Sequence, residues 1–577
     1  MHNPIIVLKF GSSVLENHDA LPAAVLEIYR EIRRGRRVVA VVSAFGNRTD
    51  ELLASARNLF DEPDPASLAR LLETGEAESA ATLGLALDQA GVPTRILDAG
   101  QIGLTTSEEI LDAEPHDFDV VRLRQELLAV PVVVVPGFSG KLKNGAPALL
   151  GRGGSDLTAL FLAHGLRAAE CRLLKDVDGL LKVHENGTLD YGTRYATASY
   201  SECLRVGGPL IQPKAVEFAE RHGLSFRIAR CGSTGGTLAG PVESNFENVD
   251  PAPAPTTVVI GGLGTVGLGV FRWLKSLPED FKVVGIFIRD AEKFRPGDVP
   301  SHLISDSLHS LLEPAPDLVI ETIGGTGSAA DLVRQARAAG SRVVSANKQL
   351  LAIDPELLAE TSFGSGRLLA SASVGGSVPA LETAGALSDR EEILSLKGIL
   401  NGTCNYILDR VNTGVEFQDA LKKAQDLGLA EADPHLDISG LDCVYKLSLL
   451  ASRAFGEEVK VDRIKCEGLD AITARKLKEA SDIDGELKLV ASARRTAHGI
   501  EARVGLEVLL PHHPLFGCEK EANRLVLETE GHRQVVIDGK GAGRWPTTVS
   551  VVGDALQCRR ARLLDLQQGE SRKARAS

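Results

Sequence analysis

Short apolar runs alternate with amphipathic stretches along the first half of the chain. The runs of strand length are IIVLKF (5–10), RVVAVVSAF (37–45), VPVVVVPGF (130–138) and CRLLKDV (171–177). Helical periodicity marks LPAAVLEIYREIRRG (21–35) and DLTALFLAHGLRAA (156–169). This alternation predicts a mainly parallel sheet with helices on both faces.

The same rhythm starts again after a polar and then proline-rich stretch, ESNFENVDPAPAP (243–255). Its proline content favours a semi-rigid connector. The second series of strand, turn and helix is TTVVIGGLGTVG (256–267), KVVGIFIRD (282–290), DLVIETIGG (317–325) and SRVVSANKQLLA (341–352). This spacing is typical of a βαβ dinucleotide fold.

Beyond residue 380 a helix-rich stretch precedes alternating strands, which indicates an α+β domain for substrate binding and dimerisation. The basic, polar C-terminus has little apolar surface to bury, so we expect it to fray. The predicted fold class is α/β, and its segments are a first domain (1–245), a linker (246–256), a Rossmann-type domain (257–380), the α+β domain (381–555) and a flexible tail (556–577).

Composition narrows the class of protein. The chain has 64 Lys and Arg against 77 Asp and Glu, a net charge of -13, which argues against nucleic-acid and anionic-membrane partners. Its eight cysteines show no zinc-type spacing, and no apolar run approaches the roughly 20 residues of a membrane helix. No signal peptide is visible at the N-terminus. We expect a cytoplasmic enzyme with small-molecule substrates and reduced cysteines.

The turn GGLGTVG has the G-x-G-x-x-G pattern at Gly262, Gly264 and Gly267. These glycines allow a tight turn, approach of the backbone to a pyrophosphate, and close helix packing. Arg289 lies at the end of the next strand, and Lys293 and Arg295 follow closely. In NAD-binding domains this position carries an acidic residue that binds the ribose. A cation there favours the 2′-phosphate of NADP(H), and NAD remains the alternative.

The second half resembles the homoserine dehydrogenases. The matching segments are GGLGTVG, ETIGG, SANKQLLA, SVGGSVPALE, GILNGTCNYIL, residues 424–456 and GAGRWPTT. The resemblance implies NADP-dependent interconversion of L-homoserine and L-aspartate 4-semialdehyde. It also implies that Lys446 donates the proton, that Asp442 holds Lys446, and that Lys348 lies at the reacting carbon.

The same resemblance assigns the binding residues. Glu431 and Asp437 would bind the amino end of the substrate, with Thr403 beside them. The implied cofactor contacts, besides the three glycines, are Thr265, Val266, Arg289, Ile323, Lys348 and Gly543. Ser371 stands where many members have a cation-binding glutamate, so no metal site is expected. Leu429 stands where a tyrosine is common.

The first half carries residues suited to phosphoryl transfer, which needs cations and backbone N–H groups around the phosphate. KFGSS places Lys9 at a strand end before small residues, and GRGGSD adds a second such loop with Arg152 and Asp156. With VVSAFGNRTD (41–50) and TGEAESA (74–80), these segments resemble the amino-acid kinase family and aspartate kinases in particular.

This second resemblance implies ATP-dependent phosphorylation of L-aspartate, with Mg²⁺. Lys9 would stabilise the transferring phosphoryl group, and Asp156 and Asp176 of KDVDG would face the nucleotide. The aspartate substrate would be held by Thr49, Glu76 and Arg152. The whole chain is therefore similar to bifunctional aspartate kinase–homoserine dehydrogenases of threonine and methionine biosynthesis, which we expect to be homo-oligomers.

Three positions differ from the aspartate kinase pattern. Leu181, Asn186 and Pro209 replace a tyrosine, an arginine and a lysine that commonly contact the nucleotide, so we expect weak ATP binding. Two alternatives stay open, namely a non-catalytic interaction or regulatory module and a kinase for another acidic amino acid. GSTGGTLAG (232–240) runs almost directly into the linker, so no ACT-type regulatory domain and no threonine inhibition are expected.

Overall fold

The computed structural model describes residues 4–576, apart from 185, 209, 250–252, 291–296, 364–365, 432 and 473. The chain divides into two compact units. Unit 1 comprises Met1–Gln89 and Pro93–Pro253, and unit 2 comprises Ala90–Val92 and Ala254–Ser577. Lys293, Arg295 and Pro209 lie outside the described residues.

Unit 1 is an α/β domain. Its strands are β1 (Ile5–Phe10), β2 (Arg37–Val42), β3 (Thr94–Ile96), β4 (Thr105–Thr106), β5 (Pro115–Asp117), β6 (Val132–Pro136), β7 (Ser139–Lys141), β8 (Pro147–Leu149), β9 (Glu170–Lys175), β10 (Leu181–Val183), β11 (Leu189–Ser199), β12 (Phe226–Arg230), β13 (Thr237–Gly240) and β14 (Asn245–Asn248). Its helices are α1 (Leu21–Arg33), α2 (Arg48–Leu59), α3 (Pro65–Gln89), α4 (Val120–Ala129), α5 (Gly154–Leu166), α6 (Tyr200–Val206) and α7 (Pro213–His222).

The main sheet of unit 1 has the strand order β10-β11-β13-β12-β9-β1-β2-β6-β3, and β14 pairs with β11. The central strands β12, β9, β1, β2, β6 and β3 run parallel, as the sequence predicts. They are buried almost throughout because near-continuous Val, Ile and Leu runs suit a sheet covered on both faces. The carboxyl ends of β1 and β9 therefore lie side by side.

Unit 2 contains two further sheets. Its strands are β15 (Thr256–Gly261), β16 (Phe281–Phe287), β17 (Ile304–Ser305), β18 (Leu318–Glu321), β19 (Arg342–Ser345), β20 (Leu368–Leu369), β21 (Ile393–Ile399), β22 (Lys465–Cys466), β23 (Glu486–Thr496), β24 (Gly499–Leu509), β25 (Ala522–Thr529) and β26 (Gln534–Lys540). Its helices are α8 (Thr265–Lys275), α9 (Leu308–Leu312), α10 (Ser328–Ala338), α11 (Lys348–Ile353), α12 (Pro355–Phe363), α13 (Ala380–Ser388), α14 (Gly402–Asn412), α15 (Phe417–Asp426), α16 (His435–Ile438), α17 (Leu441–Phe455), α18 (Ala474–Ser481) and α19 (Arg544–Ala576).

The first sheet of unit 2 is the Rossmann sheet. Its order is β17-β16-β15-β18-β19-β20, and every neighbouring pair is parallel. In chain order this reads 3-2-1-4-5-6, the arrangement of doubly wound dinucleotide-binding domains. Such folds bind ligands beyond the carboxyl ends of the strands, at the point where the strand order reverses. Here that point lies between β15 and β18.

The second sheet, β22-β24-β23-β21-β25-β26, is antiparallel except for the pair β22 and β24. One hydrophobic cluster joins it to the Rossmann sheet, since Val259 and Val319 belong to the same core as Leu396 and Leu447. The sequence places a domain boundary at residues 380 and 381. The structure shows two sheets on either side of it that share a core.

The predicted linker and the predicted flexible tail are both partly ordered. Residues 246–248 of the linker belong to β14, which pairs with β11, and Thr256 already begins β15. The predicted tail continues α19, whose Arg559 pairs with Asp280 at 3.0 Å.

The same helix also pairs Arg562 with Asp317 at 2.8 Å and Asp565 with Arg342 at 2.7 Å. These ion pairs fix the helix where apolar residues are few, which is why the apolar pattern alone misses the contact. Among the described helices, none is long and apolar enough to span a membrane.

Candidate active sites

The turn between β15 and α8 depends on its glycines. Gly262 has φ +92°, and a Cβ there would come within 2.8 Å of the Thr322 carbonyl oxygen. A Cβ on Gly267 would lie 2.1 Å from the Gly262 carbonyl oxygen, so the helix packs directly on the turn. Around Gly264 there is open space within 4 Å. This cradle at the N-terminus of α8, where Thr265 and Val266 form the first turn, fits a dinucleotide pyrophosphate.

A buried carboxylate organises the facing turn after β18. Glu321 accepts hydrogen bonds from the backbone N–H groups of Ile323 at 2.8 Å and Gly324 at 3.1 Å. Its other oxygen accepts from the Ser345 hydroxyl at 2.5 Å. The ETIGG turn is therefore held rigidly beside the glycine turn, and Ile323, a predicted cofactor residue, lies within it.

Arg289 lies two residues past the carboxyl end of β16 and its side chain is exposed. β16 is the strand next to β15 in the Rossmann sheet. Arg289 and the glycine turn thus both lie at the carboxyl ends of the parallel strands.

Lys446, Asp442 and Lys348 form one cluster. The Lys446 ammonium lies 2.7 Å from Asp442 Oδ2, one turn earlier on α17, and also donates to the Leu400 carbonyl oxygen at 2.7 Å. The Lys348 ammonium, on the first residue of α11, lies 2.9 Å from Asp442 Oδ1. Lys446 and Asp442 are buried, whereas the Lys348 side chain is 38% exposed. One carboxylate therefore holds two ammonium groups, of which one is reachable from outside.

The protonation states follow from this geometry. Burial alone would raise the pKa of Asp442, but Lys446 and Lys348 outweigh it and hold that pKa well below its usual range. Burial would lower the pKa of Lys446, but Asp442 outweighs burial and raises it. At neutral pH Asp442 is therefore an anion and Lys446 is an ammonium.

Asn401 connects this cluster to Asp437. Its side-chain amide donates to Asp437 Oδ1 at 2.7 Å and to Asp442 Oδ2 at 2.8 Å. Its side-chain oxygen Oδ1 accepts a hydrogen bond from the Cys404 backbone N–H at 2.7 Å and so caps α14. Burial, followed by the neighbouring Asp442 charge, raises the pKa of Asp437. Two carboxylates with different proton affinities thus lie in the same site.

The other two predicted substrate residues of unit 2 lie on α14 and on the segment between α15 and α16. Thr403 is in the first turn of α14 and donates its hydroxyl to the Leu429 carbonyl oxygen at 2.7 Å. Glu431 is exposed between α15 and α16, and its carbonyl oxygen accepts from Gln425 at 3.2 Å. The Thr403 bond ties the segment carrying Glu431 to α14.

The loop that holds Gly376 packs against the segment that follows β26. Gly376 has φ +57°, and a Cβ there would lie 2.7 Å from the Lys540 carbonyl oxygen. Gly543, a predicted cofactor residue, has φ +113°, is exposed and immediately precedes α19. The loop that leads into α19 therefore has a backbone that only glycine adopts easily.

In unit 1, Lys9, Asp156 and Lys175 form a buried triad. The Lys9 ammonium at the end of β1 lies 2.8 Å from Asp156 Oδ1. The Lys175 ammonium at the end of β9 lies 2.9 Å from Asp156 Oδ2. Burial lowers the pKa of Lys9 to about 8, with Lys175 adding to the effect and Asp156 opposing it. Burial would raise the pKa of Asp156, but the two ammonium groups hold it below its usual value.

This triad fixes the position of Asp156, which the sequence predicts to face a nucleotide. Both of its carboxylate oxygens are ion-paired in the protein interior. Asp156 is held by the first turn of α5, after Gly153 in the left-handed conformation. Lys9 and Lys175, at the ends of two adjacent strands, hold this carboxylate from both oxygens.

Glu76 is a buried carboxyl on α3 near this triad. Burial raises its pKa to about 7, while hydrogen bonds from the Ala44 and Glu76 backbone N–H groups and the Lys9 charge oppose the shift. Its Oε2 has no hydrogen-bond partner in the described part of the protein. An unpartnered buried carboxylate oxygen is costly unless a ligand completes it.

The remaining predicted kinase residues are more exposed than the buried triad. Thr49 is in the first turn of α2, and its neighbour Arg48 packs on Gly75 of α3, next to Glu76. Arg152 is exposed in the turn before α5, and Asp176 is exposed just after β9. The structure thus gathers Lys9, Asp156 and Glu76, whereas Thr49 lies on α2 and Arg152 and Asp176 lie on loops.

Comparison with known proteins identifies both halves. The family model described as homoserine dehydrogenase matches residues 379–556, and the one described as homoserine dehydrogenase, NAD binding domain, matches residues 262–362. The homoserine dehydrogenase of Bacillus subtilis is 34% identical over 306 residues, covering 51% of this chain and 70% of that protein. The chain belongs to the homoserine dehydrogenase family.

Two further homoserine dehydrogenases are similar to the chain to about the same extent. That of Corynebacterium glutamicum is 33% identical over 325 residues, covering 53% of this chain and 73% of that protein. The crystal structure of a homoserine dehydrogenase from Thiobacillus denitrificans is 32% identical with a TM-score of 0.50, covering 54% of this chain and 74% of that one. Ahead of this dehydrogenase part, the amino acid kinase family model matches residues 4–230. The chain therefore joins an amino-acid-kinase-family domain to a homoserine dehydrogenase.

The sequence prediction missed three residues that organise these sites, namely Asn401, Glu321 and Lys175. All three fall inside segments that the sequence singled out, GILNGTCNYIL, ETIGG and KDVDG. A polar residue at the carboxyl end of a buried strand was the available signal for Glu321 and Lys175. Asn401 follows the end of β21 in the same way.

Proposed function

We propose that unit 2 catalyses the NADP-dependent interconversion of L-homoserine and L-aspartate 4-semialdehyde. The observation that carries this proposal is the cluster of Lys446, Asp442 and Lys348, joined to the dinucleotide turns in a member of the homoserine dehydrogenase family. Asn347, next to Lys348, donates its amide to the Gly325 carbonyl oxygen at 2.6 Å and so links the two. The test is homoserine-dependent formation of NADPH by the purified chain, with serine and threonine as control alcohols.

The residues of the cluster have distinct tasks. The nicotinamide cofactor supplies the hydride when bound, and a proton must reach the carbonyl oxygen as negative charge develops there. Lys446, kept protonated by Asp442, donates that proton in reduction. In oxidation the neutral amine form of Lys446 accepts the hydroxyl proton and becomes the ammonium again. Lys348, the more exposed ammonium, adds positive charge beside the reacting carbon.

The acidic residues match the other end of the substrate. Homoserine and aspartate 4-semialdehyde carry an ammonium group, which a carboxylate binds as a charge-assisted hydrogen bond. We assign this contact to Asp437 and Glu431, with Thr403 beside them. Asn401 donates to both Asp437 and Asp442 and so fixes their relative positions. In this proposal Asp437 serves the substrate and Asp442 serves the lysines.

Arg289→Ala is expected to shift cofactor preference from NADP toward NAD by about tenfold or more, because it removes a charge-assisted contact to the 2′-phosphate. The measurement is the ratio of kcat/KM for NADP and NAD at saturating homoserine. Lys282→Ala, an exposed cation at the opposite end of β16, is the matched control and should leave the ratio unchanged. An unchanged ratio in Arg289→Ala would contradict this role.

We further propose that unit 1 phosphorylates L-aspartate with ATP and Mg²⁺. The amino acid kinase family match and the buried triad of Lys9, Asp156 and Lys175 support phosphoryl transfer. Two ammonium groups at adjacent strand ends, beside the glycine turn before α5, fit the charge of a transferring phosphoryl group. Glu76, with its unpartnered oxygen, fits the ammonium group of an amino-acid acceptor.

A pH dependence follows for the kinase reaction. Because the pKa of Glu76 is about 7, its ionised fraction rises from about one tenth at pH 6 to about nine tenths at pH 8. Only the carboxylate binds an ammonium group strongly, so KM for aspartate should fall several-fold over this interval. Initial rates of ADP formation at varied aspartate measure it. Glu76→Gln should raise KM and remove its pH dependence, whereas a flat KM in the wild type would contradict the assignment.

A further inference from the structure

An arginine lies beside the dinucleotide turn, on the helix that packs against α8. Arg544 is the first residue of α19, and its Nε donates to the carbonyl oxygen of Thr265 at 3.1 Å. Thr265 is the first residue of α8, the helix whose N-terminus forms the pyrophosphate cradle. The guanidinium is thereby fixed within one turn of that cradle.

The surroundings hold this side chain in place. A Cβ on Gly269 would lie 2.5 Å from the Thr548 hydroxyl and 3.5 Å from Arg544 Cγ, so α8 and α19 cross in close contact. The guanidinium carbon lies 5.6 Å from the centre of the Trp545 ring. Trp545 in turn stacks on Trp273 of α8, with ring centres 6.1 Å apart. The arginine therefore rests on a rigid aromatic support.

The charge of Arg544 is available to a ligand. Within the described residues, no carboxylate lies at ion-pair distance from it, and the side chain is only half-buried. By contrast, Arg272 on α8 and Arg559 and Arg562 on α19 each pair with an aspartate. One of its five N–H donors is used by Thr265, which leaves the others for an anion. Arginine matches phosphate oxygens in geometry and charge.

We infer that Arg544 binds the pyrophosphate of the dinucleotide and so acts as a second, side-chain contact opposite the backbone N–H groups of the glycine turn. The inference rests on the proposed dehydrogenase function, since it names a residue of the same cofactor site. It assigns cofactor affinity to Arg544 and the choice between NADP and NAD to Arg289. Arg544 is therefore tested by the dissociation constants of both cofactors, and Arg289 by the ratio of kcat/KM for NADP and NAD.

The chain offers a direct probe of binding. Its two tryptophans, Trp273 and Trp545, are the stacked pair beside the site, so energy transfer from tryptophan to the reduced nicotinamide reports binding. The dissociation constants of NADPH and NADH are measured by titration of the full-length wild type, Arg544→Lys, Arg544→Gln and Arg272→Ala. Arg272 lies two turns along α8, about 10 Å from Thr265, and is the matched control.

The expected result is that Arg544→Gln weakens NADPH and NADH by the same factor, about tenfold, because the pyrophosphate is common to both. Arg544→Lys should recover part of the affinity, and Arg272→Ala should match the wild type. KM for homoserine at saturating cofactor should be unchanged in all variants. Higher salt should weaken the wild type more than Arg544→Gln.

Three outcomes would overturn the inference. Unchanged affinities in Arg544→Gln would show that the side chain does not contact the cofactor. Loss of NADPH affinity alone would make Arg544 a reader of the 2′-phosphate instead. Equal losses in the lysine and glutamine variants would indicate a packing role. If the wild type itself binds neither dinucleotide, the dehydrogenase proposal fails rather than this residue assignment.

Discussion

Replacing Lys446 by alanine is expected to lower kcat for homoserine oxidation by about 10²–10⁴-fold, the usual contribution of a general acid–base group. The Lys446 ammonium is buried, bonded to Asp442 at 2.7 Å, and has a raised pKa. We do not expect Lys348 to replace it, because Lys348, on the other oxygen of Asp442, is assigned to the reacting carbon and not to the carbonyl oxygen. The affinity for NADPH should change little, since the glycine turn and the ETIGG turn are untouched.

The variant should stay folded. Removing one partner of a buried ion pair is costly when it leaves an uncompensated charge. Here Asp442 keeps Lys348 and the Asn401 amide as partners. Lys397→Ala, which removes a half-exposed lysine paired with Glu507 on the antiparallel sheet, is the control and should retain full activity. Turnover near the wild-type rate in Lys446→Ala would disprove the role assigned to this lysine.

Replacing Lys9 by alanine is expected to abolish aspartate-dependent formation of ADP, which in the wild type should be measurable but weak. The Lys9 ammonium stands at the end of β1, fixed by Asp156, where a transferring phosphoryl group would need positive charge. Lys175 then remains as the only ammonium on Asp156. Lys141→Ala, which removes a surface lysine paired with Glu73, is the matched control.

Assays with aspartate, glutamate and neither amino acid distinguish the readings of unit 1. Aspartate-dependent turnover that Lys9→Ala removes supports aspartate kinase activity. Turnover with glutamate alone would make unit 1 a kinase for another acidic amino acid. No turnover at high ATP would make it a non-catalytic module. The replacements at Leu181, Asn186 and Pro209 are the reason to expect weak rather than tight ATP binding.

Much of the fold could be predicted from the sequence because the parallel strands are buried on both faces. Runs such as IIVLKF and VPVVVVPGF are apolar nearly throughout, and they correspond to β1 and β6. The glycine turn could also be predicted, because close backbone contacts leave no room for a side chain at Gly262 and Gly267. The sequence pattern therefore predicts the structure correctly where the residues of a single strand or a single turn determine it.

The rest depends on contacts between distant elements. Asp442 and Lys446 are one helical turn apart, so their pairing can be anticipated, but Lys348 reaches the same carboxylate from a different helix. Lys175 likewise meets Asp156 only because β9 lies beside β1 in the sheet. Neither contact leaves a periodic signal in the sequence.

The C-terminal helix illustrates the same limit. A basic, polar segment normally remains solvated, and the sequence gives no partner for it. In the structure Arg559, Arg562 and Asp565 each find an oppositely charged residue on the Rossmann part of unit 2. Ion pairs between segments far apart in the chain are invisible to an analysis of apolar periodicity.

We propose that one chain carries two independent active sites, one in each unit. The most direct test measures homoserine-dependent NADPH formation and aspartate-dependent ADP formation in parallel for the wild type, Lys9→Ala and Lys446→Ala. We expect reciprocal losses, with Lys9→Ala retaining only the dehydrogenase activity and Lys446→Ala retaining only the kinase activity. Loss of both activities in either variant, or absence of homoserine-dependent NADPH formation in the wild type, would contradict it.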